Sequence, residues 1–396
     1  MAIDSENKRR SAQSYGGGGV YPKADGSVDE YDRRHLTVYR GPLVAVSVYL
    51  FREPAGPQYR LLVADVTGRV LAELRPKIER VSWELNGVGA LALTLSRTDG
   101  KCREDLLRFG NRVFLEFDNG LPAWGGVLTD SREWFVGGVT VAALSAEALL
   151  GWRRTARERV FENATAGAIL QTVIEDANAV RPTGLAAGSI WYGGQGYSVE
   201  YHWDRVDDVV KALAETLSTG GAVDVTATES AGYIRFLVNL YERRGSNKGN
   251  VGLVEGQNIA AARLREEDTA VNVWYAAGEG SGWGETSRVY GAAADDSSVS
   301  LHDRREGSEI FDVSDQAAID ALAAALLAKN ALPRRMVGAT VVDRAPARFA
   351  DYDLGDGVTV QLHSMGFGGV RGLFMVTGRE FFPDSGACDL VLEELT

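Results

Sequence analysis

The sequence predicts an α+β protein that is predominantly β: two related β-modules separated by an inserted α/β region, with an extended N-terminal arm. Three observations carry this prediction. Glycine is abundant, 46 residues against 10 prolines in 396, with no collagen period, which points to turns, bulges and close backbone contacts. Short apolar runs of strand length recur between turn signals. Four of those runs return in the same order about 245–249 residues later.

Residues 1–42 show no apolar period. They carry Gly16 to Gly19, a turn at Asp25-Gly26 and interspersed charge, and read as a flexible arm ending at Gly41-Pro42. The first module spans 43–152. Residues 43–51 are a short strand-like run, and 59–66 and 69–74 form a hairpin about Thr67-Gly68. Residues 78–85 and 88–95 pair through Asn86-Gly87, the strongest short hairpin signal available. Leu91, Leu93 and Leu95 alternate with Ala92 and Thr94, the period of a half-buried strand. Residues 113–117, 123–128 and 139–144 continue the pattern.

Helix signals are confined to the inserted region, 153–334. Residues 165–179 place Ile169, Leu170, Val173 and Ile174 on one face, with Asn163 or Thr165 as cap. Residues 206–217 align Val206, Val209, Val210, Leu213 and Leu217. Residues 315–329 are rich in Ala and Leu, with Ser314 as N-cap, Asn330 near the C-terminal end and Pro333 beyond. Residues 222–228 and 233–241 read as a strand pair, and 276–297 as a loop around Gly278, Gly280, Gly282 and Gly284. The second module is 335–396.

The repeat is the most informative feature. Val88 to Leu93 matches Val337 to Val342, Phe109 to Phe117 matches Leu354 to Leu362, Val127-Leu128-Thr129 matches Met375-Val376-Thr377, and Val139 to Leu144 matches Cys388 to Leu392. Gly89 falls on Gly338 and Gly110 on Gly355, the latter pair suited to a tight bend that a side chain obstructs. Two copies are too few for a solenoid or propeller. Symmetry matching is one physical use of a duplicated module: three chains present six modules, so a trimer docks on a sixfold ring while offering threefold symmetry beyond it.

These residues resemble the baseplate hub, or tail-tip protein, of long-tailed bacteriophages built like the T4 hub. The likeness covers roughly 59–395. It rests on Gly89 to Leu95, on Phe109-Gly110-Asn111-Arg112-Val113, on the strand from Trp124 to Leu128, and on Leu149-Leu150-Gly151-Trp152-Arg153-Arg154. It also rests on Leu354 to Val360 with Val376 to Glu380, and on Tyr201-His202-Trp203 before the 206–217 helix. The resemblance implies two tube-type β-barrel modules. It implies a homotrimeric structural virion protein that adapts the sixfold tail tube to a threefold tip and lines a DNA channel. Implied partners are the tail tube or distal tail ring and other tail-tip and fibre proteins, with DNA passing through unbound. The location is the virion, after synthesis in the host cytoplasm. The chain stops at Thr396 directly after the second module, so any cell-wall enzyme is expected to be a separate protein.

Composition and motif searches narrow the alternatives, a tail-associated cell-wall hydrolase or a carbohydrate- or receptor-binding tail protein. The net charge of −12 disfavours wrapping of nucleic acid. No apolar run of about 18 residues predicts a membrane-spanning helix, and the N-terminus lacks the apolar segment of a secretory signal. His35, His202, His302 and His363 are isolated, with no H-E-x-x-H or C-x-x-C. Cys102 and Cys388 read as free thiols of a reducing cytoplasm. There is no G-x-S-x-G elbow and no phosphate-binding loop, and Gly278 to Gly284 fails the dinucleotide pattern. Asp204, Asp207 and Asp208, and Glu266, Glu267 and Asp268, read as solvated turns and helix starts rather than a carboxylate pair for glycoside hydrolysis. The aromatics Trp191, Tyr192, Tyr197, Tyr201 and Trp203 read as packing residues of a Gly-hinged loop rather than a sugar platform. No catalytic, cofactor-binding or metal-binding residue is assigned, and no cofactor is expected.

Overall fold

The computed structural model describes residues 34–40, 44–50, 58–194, 196–215, 217, 221–278, 288–311 and 316–395. Contacts divide the chain into two units, Met1–Gly56 and Pro57–Thr396. In the first, β1 (Arg34–Arg40) and β2 (Val44–Leu50) form an antiparallel pair running from Arg34 opposite Leu50 to Arg40 opposite Val44. The alternation of Leu36 and Val38 with polar neighbours supports β1 within the stretch that reads as an arm. Residues 1–33 lie outside the described residues.

The second unit opens with seven strands: β3 (Tyr59–Ala64), β4 (Val70–Leu74), β5 (Lys77–Glu84), β6 (Ala90–Ser96), β7 (Arg112–Phe117), β8 (Trp124–Phe135) and β9 (Gly138–Ser145). The expected hairpins are present, β3 with β4 about Gly68 and β5 with β6 about Asn86, both at positive φ. The chain continues through α1 (Ala148–Gly151), β10 (Arg159–Thr165), α2 (Ala166–Val180), β11 (Leu185–Ile190), β12 (Gly196–Tyr201), α3 (Val206–Glu215), β13 (Ala222–Ser230) and β14 (Tyr233–Tyr241). Next come β15 (Asn247–Val254), β16 (Ile259–Glu267), β17 (Val273–Ala277), β18 (Tyr290–Ala294), α4 (Asp296–His302), β19 (Glu306–Ile310) and α5 (Gln316–Asn330). The last strands are β20 (Arg334–Val342), β21 (Gly357–Leu362), β22 (Val370–Phe382) and β23 (Ala387–Glu394).

The two ends of this unit have one strand order. The first half runs β5-β6-β9-β8-β7-β3 and the second β16-β20-β23-β22-β21-β15, with β3 antiparallel to β7 but β15 parallel to β21. Hydrogen bonds repeat as well. Gly110 N–H donates to Leu128 O at 2.8 Å and Leu128 N–H to Asn111 O at 2.8 Å; Gly355 N–H donates to Val376 O at 2.8 Å and Val376 N–H to Asp356 O at 2.9 Å. Gly110 (φ 93°) and Gly355 (φ 83°) both adopt the backbone that disfavours side chains, and a Cβ on Gly355 would sit 2.6 Å from the Arg244 carbonyl oxygen.

One block of the repeat is displaced. Leu95, Leu93 and Leu91 face Val139, Val141 and Ala143, as Val341, Ala339 and Val337 face Cys388, Leu390 and Leu392. Leu91 therefore corresponds to Val337, and Gly89 does not correspond to Gly338. A Cβ on Gly89 would lie 2.1 Å from Ser82 O, whereas Gly338 faces open space. An offset by an odd number of residues exchanges the two faces of a strand, which short apolar runs alone do not reveal.

Two separate barrels are also not what forms. The halves join in one thirteen-stranded sheet through β22 and β5, and among the described residues neither half closes on itself by backbone pairing. Both halves share one core, in which Leu91, Leu93, Val113, Val139 and Val141 pack in a cluster with Val337, Ala339, Val358, Leu390 and Leu392. Each buried Val or Leu among them stabilises the fold by roughly 1.5–3 kcal/mol before entropy is counted.

The inserted helices and the β11-β14-β13 sheet form a second core around Ile169, Leu170, Val209, Val210, Phe236 and Val238. Thr165 caps α2, its hydroxyl accepting from Ala168 N–H at 3.4 Å. This core also takes in Leu62, Ala64, Phe114 and Val127 from the first-half sheet, while Leu61 and Val63 point into the shared core, so β3 is buried on both faces. A small third core joins Ala276 of β17 to Ile319 and Ala323 of α5. The stretch 276–297 thus includes strand β18 and the start of α4; Gly280, Gly282, Gly284 and Ser314 lie outside the described residues.

Candidate assembly surface

The residues singled out for chemistry are dispersed. His202 contacts Glu200 at 3.0 Å on the surface, His302 ends α4, and among the described residues no group of three His, Cys, Asp or Glu is placed to hold a metal. Both cysteines are free, and burial pushes the Cys388 thiol up to about 12. Asp207 pairs with Arg205, and Asp268 with Arg305. Trp191, Tyr197 and Tyr201 pack against the core of the inserted region, leaving Tyr192 and Trp203 exposed. No helix among the described residues is long and apolar enough to cross a membrane.

The inserted region is strapped to both halves by polar contacts. On the first half, Val225 N–H donates to Glu147 Oε1 at 2.9 Å and Val223 N–H to Asn86 Oδ1 at 2.8 Å. On the second, Arg244 bridges Asp224 at 2.9 Å and Asp353 at 3.4 Å, and Ser246 N–H, just before β15, donates to Asp356 Oδ1 at 2.8 Å; Lys248 of β15 pairs with the same carboxylate at 2.8 Å. The two carboxyls at these junctions are tuned in opposite directions. Burial holds Glu147 above the ordinary carboxylate range. Burial also raises Asp356, but the Lys248 ammonium and the backbone N–H groups of Ser246 and Asp353 outweigh it and hold Asp356 below that range.

The feature that stands apart is the seam between the halves. The last part of β22 runs past β21 and pairs antiparallel with β5: Gly378 opposite Glu84, Arg379 opposite Trp83, Glu380 opposite Ser82 and Phe381 opposite Val81. Leu85 N–H donates to Thr377 O at 2.9 Å, and Arg80 pairs with Glu380 at 2.9 Å. Arg379 is 2% exposed; its Nη2 donates to Tyr352 O at 2.6 Å and its guanidinium lies 4.7 Å over the Tyr352 ring. Phe381, wholly buried, meets Phe117 and Phe349 edge-on at 5.3 and 5.8 Å.

The first half contains the same segment. Arg132, Glu133, Trp134 and Phe135 of β8 face Val141, Thr140, Val139 and Gly138; Arg379, Glu380, Phe381 and Phe382 of β22 face Leu390, Asp389, Cys388 and Ala387. Arg-Glu-Trp-Phe therefore corresponds to Arg-Glu-Phe-Phe. Strand β8 pairs with β7 only at Trp124 to Val127, so among the described residues no strand lies beside Arg132–Phe135 on that side. Trp134 is 58% exposed and Val136, at the hairpin tip, 97%. Sequence comparison of the repeats passes over this motif, which lies between two matched blocks, because Asp130-Ser131 replaces the single Gly378, an extra residue absorbed as a bulge.

Solved structures share the overall fold. The chain matches the 43 kDa tail protein of prophage MuSo2 from Shewanella oneidensis with a TM-score of 0.57 at 15% identity, over 85% of this chain and 98% of that one. It matches the tail protein of Neisseria meningitidis MC58 with a TM-score of 0.57 at 12% identity, over 85% and 96% of the two chains. This chain has the fold of phage tail proteins. The prophage tail protein gp18 of Listeria monocytogenes EGD-e is a further example, with a TM-score of 0.56 at 13% identity, over 84% and 94% of the two chains. No protein-family model matches the sequence, and no curated protein does.

Proposed function

We propose that the chain is a structural virion protein, the trimeric baseplate hub at the distal end of a phage tail, which adapts the sixfold tail tube to a threefold tip and lines the DNA channel. The observation that carries this reading is the shared strand order of the two halves with the seam that joins them. Three chains supply six modules of one strand order, enough to meet a sixfold ring, while the inserted regions retain threefold symmetry. Each half is then a tube-type module that closes through its neighbours rather than on itself. The net charge of −12 suits a lumen past which DNA phosphates travel without adhering. The partners on this reading are the tail tube or distal tail ring on one side and other tail-tip and fibre proteins on the other. The role is architectural, with no catalytic residue or cofactor assigned. Light scattering on the purified full chain tests it, together with negative-stain images. The expected result is a mass of three chains and a ring with an axial channel; a stable monomer that forms no ring beside tail-tube protein contradicts it.

A further inference from the structure

The seam inside the chain specifies a second seam between chains. Strand β5 lies beside β6 as β16 lies beside β20. Val81 faces Leu91 and Leu264 faces Val337, and Leu91 and Val337 are equivalent, so Leu264 corresponds to Val81. By the same count Arg263 corresponds to Arg80, Arg265 to Ser82, Glu266 to Trp83 and Glu267 to Glu84. In the second half, the β22 overhang is covered by β5. In the first half, the equivalent overhang of β8 is uncovered, and the strand equivalent to β5, namely β16, has a free outer edge among the described residues. An overhang without its edge strand and an edge strand without its overhang thus sit in opposite halves of one sheet.

We propose that Arg132–Phe135 of β8 in one copy pairs antiparallel with the outer edge of β16 in the next copy, in the register of the internal seam. This sets Arg132 opposite Glu266, Glu133 opposite Arg265 and Trp134 opposite Leu264. The proposal rests on the trimeric reading above and supplies its subunit contact.

Charge and shape agree with that register. Both charged pairs are of opposite sign, and opposite charges directly across a ladder stabilise it while like charges destabilise it. The internal Arg80–Glu380 pair has its counterpart in Arg263 and Glu133. Arg263, Arg265 and Glu266 are exposed, as is Glu133, so the charges of both edges are accessible, with Arg265 meanwhile paired to Glu267 on its own strand. A cleft of 680 Å³ lies at the end of β16; Glu266, the carboxylate across from Arg132 in this register, lines it, beside Glu267, Asp268 and Glu394, which pair with Arg265, Arg305 and Arg335. Trp134 becomes covered as Phe381 is, and two long unpaired edges, otherwise open to promiscuous pairing, are consumed. Because the two surfaces differ, the contact is head-to-tail, and on the trimeric reading three such contacts close a ring.

The test uses the full chain. Glu133→Arg places like charges across from Arg265 and Arg263 and is expected to weaken assembly at least about tenfold, read as mass against concentration. Adding Arg265→Glu to the same chain restores assembly. Thermal melting of each variant checks folding. In a Cys102→Ser background, chains carrying only Glu133→Cys are mixed with chains carrying only Arg265→Cys under oxidation. They give a disulfide-linked pair that neither chain gives alone. A three-chain particle that Glu133→Arg leaves intact and that yields no such cross-link overturns this interface while leaving the hub reading in place. A chain that remains monomeric at every concentration and forms no ring beside tail-tube protein removes the hub reading, and this interface with it.

Discussion

The two Arg-Glu-aromatic-Phe segments share a strand position and a register against their hairpin partners, yet their surroundings are opposite. In the second half β5 lies alongside, Arg379 is buried under Tyr352 and Phe381 has no exposed surface. In the first half Arg132 lies 4.4 Å over the exposed Phe109 ring, and Trp134 stands in solvent. A single chain thus shows the same segment with and without its neighbour. The difference teaches that the apolar tip of the β8–β9 hairpin is half of a contact whose complete form is visible within the molecule.

The largest effect should separate these two positions. Phe381→Ala empties a fully packed site and is expected to cost about 3–5 kcal/mol in chemical denaturation. Trp134→Ala, at the equivalent exposed position, is expected to change the stability of the isolated chain by no more than about 0.5 kcal/mol and to weaken self-association instead. Equal losses of monomer stability at both positions would break the comparison.

Much of the fold is legible in the sequence where a local signal is steric. Asn86-Gly87, the alternating leucines 91, 93 and 95, and the apolar faces of α2 and α3 each need only neighbouring residues to declare themselves. Gly110 and Gly355 are legible as a pair because both halves need the same backbone conformation at that bend. What is hidden depends on distant partners. Residues 247–267 alternate weakly, with Gly249, Gly252 and exposed arginines among them, and become β15 and β16 only because β21 and β20 pair with them. The displaced match of Gly89 with Gly338 arises because similar apolar runs align equally well in either register. The seam motif is hidden by one bulge residue, and the join of β22 to β5 leaves no local trace at all.

The matched glycines sharpen the comparison at smaller scale. Gly355→Ala adds a clash with the Arg244 carbonyl to backbone strain and is expected to cost more than Gly110→Ala, where the nearest atom is the Val66 Cγ1 at 3.5 Å. The strain is on the order of 1–3 kcal/mol in each. Denaturant midpoints of the two variants read the order, and a larger loss at Gly110 would count against the packing described for the second half.

The smallest effect concerns the two junctions of the inserted region, whose pH signatures have opposite signs. Glu147 is held above the ordinary carboxylate range, so the folded state binds its proton more tightly than the unfolded chain. Its contribution is full below the unfolded pKa of about 4.3 and is lost as pH rises through the folded value. Asp356 is held below its ordinary range, so its contribution is present above an unfolded pKa of about 3.9 and is lost as pH falls through the folded value. Glu147→Gln should therefore flatten the decline of stability on the rising side of the carboxylate range, and Asp356→Asn the decline on the falling side. Denaturant midpoints across pH read both slopes, and the same change from both variants would contradict the assignment.

The most direct measurement is a density map of the assembled full-length protein at a resolution that shows side chains. The account predicts six modules around an axis, with the sheet passing from each chain to the next where Trp134 lies across from Leu264 and Arg132 across from Glu266. An assembly in which Arg132–Phe135 and the outer edge of β16 both remain in solvent would contradict it.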